Sequence, residues 1–450
     1  MKPTDGDDNP AESPSNNPYA SPLAGPAAYD PHDPYGALRF ADYRFFLVGN
    51  LLASLGLQMQ KVTVGWEIVA RTKTMEQGVE RAAEAITWVG LVQVLPVIAL
   101  AIPVGHIIDR VNRKWIIALA ALAMAIGSAG LAVISWLQAD FIWMYGLLLL
   151  HGVARAFQQP SKAAFLPQIV PRESFSNAVT WNTGGFHLAS IVGPILAGTM
   201  LWFFGSAPLV YLVDAAALLV LVMLMTQVGG RRYIPSAETT SLRTLMAGIG
   251  FVWRTKLILG AITLDMFAVL LGGATALLPL YAEKILFVGP VGLGILSAAP
   301  AVGALTMAFV LAHLPPMQRA GHALLWSVAG FGVATIVFGF STSFPLSAAM
   351  LFLTGAFDNI SVVIRHTLVQ ILTPDDMRGR VAAVNSMFIG ASNELGASES
   401  GLVARYFGPI VSVVAGGIGT LIVVSLVALT FPHVRRYRKL GDHPDSPAAP

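Results

Sequence analysis

Apolar residues in this chain occur in long runs separated by short polar breaks. A helix needs about 20 predominantly apolar residues to cross a bilayer. Twelve runs meet that length, six on each side of a basic, polar segment. We therefore predict an all-α membrane protein with twelve transmembrane helices. The predicted spans are 43–70, 86–108, 115–137, 141–163, 177–203, 208–228, 257–283, 292–313, 321–340, 345–368, 381–404 and 409–431.

The same pattern predicts how the chain is divided. The first residues are rich in Pro, Asn, Asp and Ser, and such a segment cannot bury enough apolar surface to offset its conformational entropy. The predicted parts are a disordered cytoplasmic tail at 1–38, an N-terminal six-helix bundle at 39–228, a cytoplasmic linker at 229–256, a C-terminal six-helix bundle at 257–432 and a cytoplasmic tail at 433–450.

Composition supports a membrane protein and excludes some chemistry. Hydrophobic residues make up 55% and charged residues 12% of the chain, with a mean hydropathy of +0.66. Soluble domains carry about twice that share of charge. Because there is no cysteine, disulfides and thiolate chemistry are excluded. None of the nine histidines falls in an HExxH spacing, so we expect no metal site of that type.

The distribution of lysine and arginine predicts the orientation, because cytoplasmic loops carry the excess of both. An even number of spans places both termini on one side. Of the 28 Lys and Arg residues, 22 fall on that side or in its half of the membrane. We therefore predict an inner-membrane, multi-pass protein with both termini in the cytoplasm. The residues on the opposite side are Lys61, Arg71, Lys73, Arg81, Lys284 and Arg405.

The two halves contain a repeat with a constant offset of 203 residues. It covers one helix–loop–helix unit without a gap, so spans four and five correspond to spans ten and eleven. Because the offset includes an even number of spans, the repeats share one topology, as in transporters with parallel halves and a site between them. The matched residues are Gly152 with Gly355, Lys162 with Arg365, Pro171 with Pro374, Glu173 with Asp376, Asn182 with Asn385, Gly193 with Gly396 and Gly198 with Gly401.

The loop after the second span resembles the loop pattern of the major facilitator superfamily, G-x-x-x-D-R-x-x-R-K. Asn112 stands where that pattern usually has glycine. The carboxylate of Asp109 is suited to a helix N-terminus, and the resemblance implies a cytoplasmic gate beside the start of the eleventh helix, near Arg378 and Arg380. The alternative is an ordinary basic loop that fixes orientation. The residues that match are Gly105, Asp109, Arg110, Arg113 and Lys114.

Further stretches are similar to the transmembrane secretion effector branch of that superfamily, which includes enterobactin-exporter-like and macrolide-efflux-like proteins. They are Gly65–Glu67, Gly193–Pro194, Asp375–Val381 and Asn385–Gly401. The resemblance covers roughly residues 38–432. It implies the major facilitator fold, with two pseudo-symmetric six-helix bundles, and export driven by proton antiport.

The fifth span resembles the antiporter motif G-x-x-x-G-P-x-x-G-G. Gly193, Pro194 and Gly198 match it, while Ala189 and Ala197 replace two of its glycines. Small residues let helices approach closely, and proline bends a helix. Ordinary helix packing explains the pattern as well as an export-specific role does.

Ionisable residues inside spans are costly and therefore mark candidate functional sites. The resemblance implies that the first, fourth, seventh and tenth helices line the cavity, which favours Lys61, Arg155, Asp265 and Asp358. The offset of 203 residues relates Arg155 to Asp358, and pseudo-symmetry places them on facing helices that line the cavity from opposite halves. We expect Asp358 or Asp265 to bind the coupling proton, with Arg155 adjusting its affinity. The alternatives are structural ion pairs and side chains that reach the interface. The full set is Lys61, Arg155, Asp214, Asp265, Asp358, Glu394 and Glu399.

These observations predict a secondary transporter that exports a small molecule, such as a siderophore, a drug or another amphipathic metabolite. The competing functions are a sensor or scaffold that keeps the fold without transport, and an importer. An enzyme is not expected, because the spans contain no nucleophile–base or metal constellation. We expect a monomer in the lipid bilayer that binds no nucleic acid and needs no cofactor besides a proton gradient.

Overall fold

The computed structural model describes residues 33–108, 110–229, 242–315 and 317–437. In this part of the chain, helices joined by short turns are the regular secondary structure. The helices are α1 (Ala41–Thr72), α2 (Gly78–Ala99), α3 (Ala101–Ile108), α4 (Arg113–Trp136), α5 (Phe141–Ile169), α6 (Phe175–Phe204), α7 (Pro208–Gln227), α8 (Leu242–Arg254), α9 (Lys256–Leu271), α10 (Leu278–Leu280), α11 (Gly289–His313), α12 (Ala320–Phe340), α13 (Phe344–Leu372), α14 (Asp375–Phe407), α15 (Pro409–Thr430) and α16 (Pro432–Arg436).

The predicted twelve spans are confirmed as twelve long helical segments. The second combines α2 with α3, and the seventh runs from α9 through α10 to Ile285. Among the described residues, nine segments have the length and apolarity that a membrane span requires. The other three, α1, α5 and α14, are 32, 29 and 33 residues long but more polar. They carry Lys61, Arg155 and Glu394, so the least apolar helices supply the central charges.

The helices form two halves whose contacts follow one plan. In the first half, α1 packs on α6 and α7, α4 on α5 and α7, and α2 on α5. In the second half, α13 packs on α11 and α12, and α15 on α9, α12 and α14. Two helix pairs, α2 with α14 and α6 with α11, account for most of the contact between halves. Each joins the second span of one half to the fifth span of the other, which is the predicted pseudo-symmetry.

The tails are more ordered than predicted at their inner ends. Residues 33–38, assigned to the disordered tail, pack on α6: Ala37 is buried, and Trp181 Nε1 donates a hydrogen bond to the carbonyl oxygen of Pro34 at 2.9 Å. At the other end, Gly321 N donates to the carbonyl oxygen of Tyr437 at 3.1 Å. The boundaries at 38 and 433 therefore need correction, because apolar and aromatic side chains beside them bury against the bundle. The rest of both tails, 1–32 and 438–450, lies outside the described residues.

Helix α8 is the element that the sequence did not predict. It lies within the segment interpreted as a polar linker and packs on α9 and α14. Val252 is buried with Ile258, Val381 and Val384, whereas Trp253 on the same helix is exposed. A helix of 13 residues is too short to span, so the search by span length passed over it.

Lys114 fixes the start of α4 to the end of α7. Its ammonium donates to the carbonyl oxygens of Val228 at 2.6 Å and Thr226 at 3.1 Å, which are acceptors left free where α7 ends. We expect Lys114→Gln to lower the free energy of unfolding by about 1–2 kcal/mol, because a charged donor at a helix C-terminus is lost. Thermal unfolding in detergent measures the change. Arg110→Gln, at an exposed neighbouring position, is the control and should leave the midpoint unchanged; equal midpoints for both variants would contradict the role of Lys114.

Candidate functional site

Two charged side chains form an ion pair between the halves, near the middle of the bundle, and a third lies near them. Arg155 on α5 donates through Nη2 to Glu394 Oε1 on α14 at 2.8 Å, with 18% and 14% of the side chains exposed. Lys61 on α1 interacts electrostatically with both. We call these three residues the central charge cluster. It has two cations and one carboxylate, and the Arg155–Glu394 ion pair joins the two halves.

The central charge cluster has solvent-accessible surface at Lys61. Lys61 is exposed although it lies twenty residues into a 32-residue helix and interacts with groups on α5 and α14. An ammonium at this depth is stable only when hydrated or paired. No hydrogen bond or ion pair joins Lys61 to another residue of the described ranges. The cluster therefore lies on the wall of a water-accessible cavity.

A second charged group lies inside the second half. Arg365 on α13 forms an ion pair with Asp265 on α9, and the two side chains are only 3% and 7% exposed. Asp265 and Asp358 line a small space that has room for about one water molecule. Ser361 also lines that space, and its buried Oγ has no hydrogen-bond partner in the described structure. We call Asp265, Asp358, Ser361 and Arg365 the α9–α13 acidic group.

The predicted site residues thus fall into two groups. Lys61, Arg155 and Glu394 come together, and Asp265 comes close to Asp358. Arg155 contacts Glu394 in this state, and no ion pair within the described residues joins it to Asp358. Glu399 takes part in neither group; it is half-buried and accepts a hydrogen bond from Ser400 Oγ at 3.4 Å.

The loop motif is only partly described. Gly105 lies in α3, and Arg113 donates to the carbonyl oxygen of Ala164 at 3.4 Å. Asn112, the departure from the family pattern, is the N-cap of α4 and accepts from Lys114 N at 3.0 Å; its φ of −60° does not require glycine. Asp109 lies outside the described residues, as does the side chain of Arg378. The predicted contact between Asp109 and the start of α14, where Arg380 lies, therefore remains a prediction.

The motif on α6 contacts both halves. Gly193 faces α1, where a Cβ atom would lie 3.0 Å from the carbonyl oxygen of Leu55. Gly198 faces α11 of the other half, where a Cβ atom would overlap the carbonyl oxygen of Pro290. A Cβ on Gly294 would in turn meet the carbonyl oxygen of Pro194 at 2.5 Å. The missing side chains allow α6 and α11 to touch through their backbones.

The halves close at one end of the bundle, which we call the far face because it is opposite the end where α8 lies (the linker end). Lys73 forms an ion pair with Glu283, and Arg405 Nη1 lies 3.2 Å from Glu84 Oε1; both pairs join the two halves. Gly65 and Gly401 lie against Pro279 and Thr87, also across the halves. Since the far face is closed, we infer that the cavity at Lys61 opens toward the end that carries α8.

The close approach at Gly198 leads to a prediction about this closure. We expect Gly198→Val to separate α6 from α11 and open the far face, because its side chain would overlap a backbone oxygen of Pro290. The measurement is the maleimide labelling rate of Thr87→Cys, which the absence of native cysteine makes specific. We expect a several-fold increase. Gly184→Val on the same helix, where nothing lies within 4 Å, should leave the rate unchanged; unchanged labelling in Gly198→Val would contradict the prediction.

A buried polar network in the first half contains Asp214, which the sequence analysis identified, and three uncharged residues that it missed. Ser128 Oγ donates to Asp214 Oδ2 at 2.5 Å, and Gln60 Nε2 lies 2.8 Å from His151 Nε2. His151 Nδ1 is 3.0 Å from the carbonyl oxygen of Leu147, which can only accept a hydrogen bond. We therefore assign the histidine tautomer with its proton on Nδ1, so that Nδ1–H donates to Leu147 and Nε2 accepts from Gln60. All four side chains are buried. A search for every polar residue within the spans, not only the charged ones, would have found Gln60, Ser128 and His151 as well.

Comparison with known proteins agrees with this architecture. The family model described as transmembrane secretion effector matches residues 32–444. The enterobactin exporter EntS of Escherichia coli O1:K1 / APEC is 26% identical over 342 residues, which are 74% of this chain and 80% of that protein.

Solved structures share the fold. A bacterial homolog of the human lysosomal transporter Spinster, in an inward-facing and unoccupied conformation, has a TM-score of 0.67 at 16% identity, over 88% of this chain and 99% of that chain. A POT family transporter in complex with 5-aminolevulinic acid also has a TM-score of 0.67, at 10% identity, over 88% of this chain and 96% of that chain. With the family match covering most of its length, the chain belongs to the transmembrane secretion effector family of major facilitator transporters.

Proposed function

We propose that this transporter exports a small amphipathic molecule across the inner membrane in exchange for protons. The observation that carries the proposal is the water-accessible central charge cluster, which lies between two halves that are closed at the far face. A site at the middle of the membrane that opens to one side at a time is what alternating access requires. The relative named as an enterobactin exporter favours export over import.

The orientation supports loading from the cytoplasm. The excess of lysine and arginine assigns the linker end to the cytoplasm. The open end of the cavity is then cytoplasmic and the far face is external. This is the state in which an exporter binds its substrate.

The α9–α13 acidic group is the proposed site of proton exchange. It contains two carboxyl groups and one guanidinium, so it is neutral only when one proton is bound. An uncompensated charge inside a protein is costly, and a buried pair tolerates it poorly. Asp265 already has Arg365 as its partner. Asp358 is therefore the carboxyl group that we expect to bind and release the exchanged proton.

The test compares the culture medium of cells that carry the protein with that of cells that carry the empty vector. We expect at least one compound to accumulate outside only when the protein is present, and a protonophore to abolish the difference. Enterobactin is measured as one candidate. A compound depleted from the medium would indicate an importer, and identical media would contradict transport and favour the sensor or scaffold.

A further inference from the structure

The central charge cluster has an excess of positive charge on the wall formed by the first half. Arg155 is paired with Glu394, but Lys61 has no ion-pair or hydrogen-bond partner in the described ranges. The cluster therefore keeps one uncompensated cation where the cavity meets the middle of the membrane. Such a charge is tolerated when water or a ligand faces it.

Lys162 extends this basic surface. It follows Arg155 by seven residues on α5, and residues with that spacing lie on the same side of a helix. Lys162 is half-buried and, like Lys61, forms no ion pair within the described structure. Because α5 runs from the far face toward the linker face, Lys162 lies about two turns closer than Arg155 to the open end of the cavity.

The internal repeat shows that this missing partner is particular to the first half. Lys162 corresponds to Arg365 in the repeat, and Arg365 has the buried carboxylate of Asp265 beside it. The two buried carboxylates of the first half have other partners: Asp214 accepts a hydrogen bond from Ser128, and Glu67 pairs with Arg71. The second half therefore neutralises its cation internally, whereas the first half leaves Lys61 and Lys162 without an ion pair among the described residues.

We propose that Lys61, with Arg155 beside it, binds an anionic group of the transported molecule, and that Lys162 attracts that group from the open end. The substrate class is an amphipathic organic anion that carries a carboxylate, a phenolate or a similar group. Arg155 suits this role because its fork of donors can contact Glu394 and a second anion together. The apolar part of the molecule would contact the surrounding cavity wall. This inference rests on the proposed export function.

The test uses everted membrane vesicles, which take up what the cell exports. They are offered a mixture of aromatic compounds in three matched groups, the carboxylates, amides and amines of the same ring systems, and uptake is measured by mass spectrometry. We expect wild-type vesicles to accumulate carboxylates at least about tenfold above the matching amides and amines. Equal uptake of the three groups, or a preference for amines, would overturn the inference. If the vesicles take up the compound found in the culture medium but none of the carboxylates, the inference is overturned. If they take up neither, the export function on which it rests is contradicted.

Variants of the basic residues test whether they cause the preference for carboxylates. Lys61→Gln should reduce the preference for carboxylates to less than about threefold, and Lys162→Gln should slow uptake with a smaller loss of preference. Lys61→Arg should keep the preference, which shows that the charge is what matters. Lys256→Gln, at an exposed lysine at the start of α9, is the matched control and should behave as wild type. An unchanged preference in a folded Lys61→Gln variant, as judged by its thermal unfolding midpoint, would overturn the proposal.

Discussion

Cross-linking the two halves across the far face is expected to abolish transport. Lys73 and Glu283 form an ion pair between the halves there. A bismaleimide that joins Lys73→Cys to Glu283→Cys would hold the far face closed, so the cavity could no longer release its content on that side. Because the chain has no native cysteine, the reagent has no other thiol target. We expect transport to fall below about a tenth of the untreated value, since one of the two states is removed.

The controls separate the cross-link from the substitutions. Each single cysteine variant treated with the same reagent, and the double variant without it, should keep most of the activity. Lys73 is 56% exposed and both partners of the second pair, Glu84 and Arg405, are 40% exposed. Ion pairs this exposed contribute roughly 0–1 kcal/mol each, so removing one shifts the balance of states only slightly. Full transport by the cross-linked protein would contradict opening at the far face.

Asp358→Asn and Asp265→Asn are expected to fail in different ways. Asp358 has no ion-pair partner within the described residues, so Asp358→Asn should fold normally and lose proton-coupled transport. Asp265→Asn would leave Arg365 as a buried cation without its carboxylate. Losing one partner of a buried pair costs about 3–5 kcal/mol, so this variant should show a large drop in folded protein.

Two measurements distinguish these outcomes. The yield of monodisperse protein and its thermal unfolding midpoint report on folding, and substrate efflux driven by an imposed pH gradient reports on coupling. Both variants are compared with Ser361→Ala, which changes a neighbouring group that does not ionise. If Asp358→Asn retains efflux that responds to the pH gradient, Asp358 is not the coupling site.

The fold could be predicted from the sequence because the bilayer imposes a length on each span. Runs of about 20 apolar residues mark the helices, and the constant offset that relates Gly152 to Gly355 and Gly198 to Gly401 identifies the repeat. Helix α8 was missed for the same reason. Its 13 residues are too few to cross a bilayer, and only its contacts with α9 and α14 show which of its side chains are buried.

The candidate site was harder to predict because partners depend on contacts between distant helices. The sequence identified Arg155, Asp358 and Glu394 as charges within spans, but the repeat suggested Arg155 and Asp358 as neighbours across the cavity. The structure pairs Arg155 with Glu394, a residue 239 positions away on α14. Pseudo-symmetry relates positions in the two halves and does not determine which side chains meet at the interface between them.

Uptake by everted vesicles with an acidic interior is the most direct test of proton-driven export by this chain. The compound is the one that the culture-medium comparison identifies, with enterobactin assayed in parallel. We predict accumulation inside vesicles that carry the protein, loss of that accumulation when a protonophore is added, and no accumulation in vesicles that carry the far-face cross-link. Equal amounts of the compound in vesicles with and without the protein would contradict the claim that this chain is a proton-driven exporter.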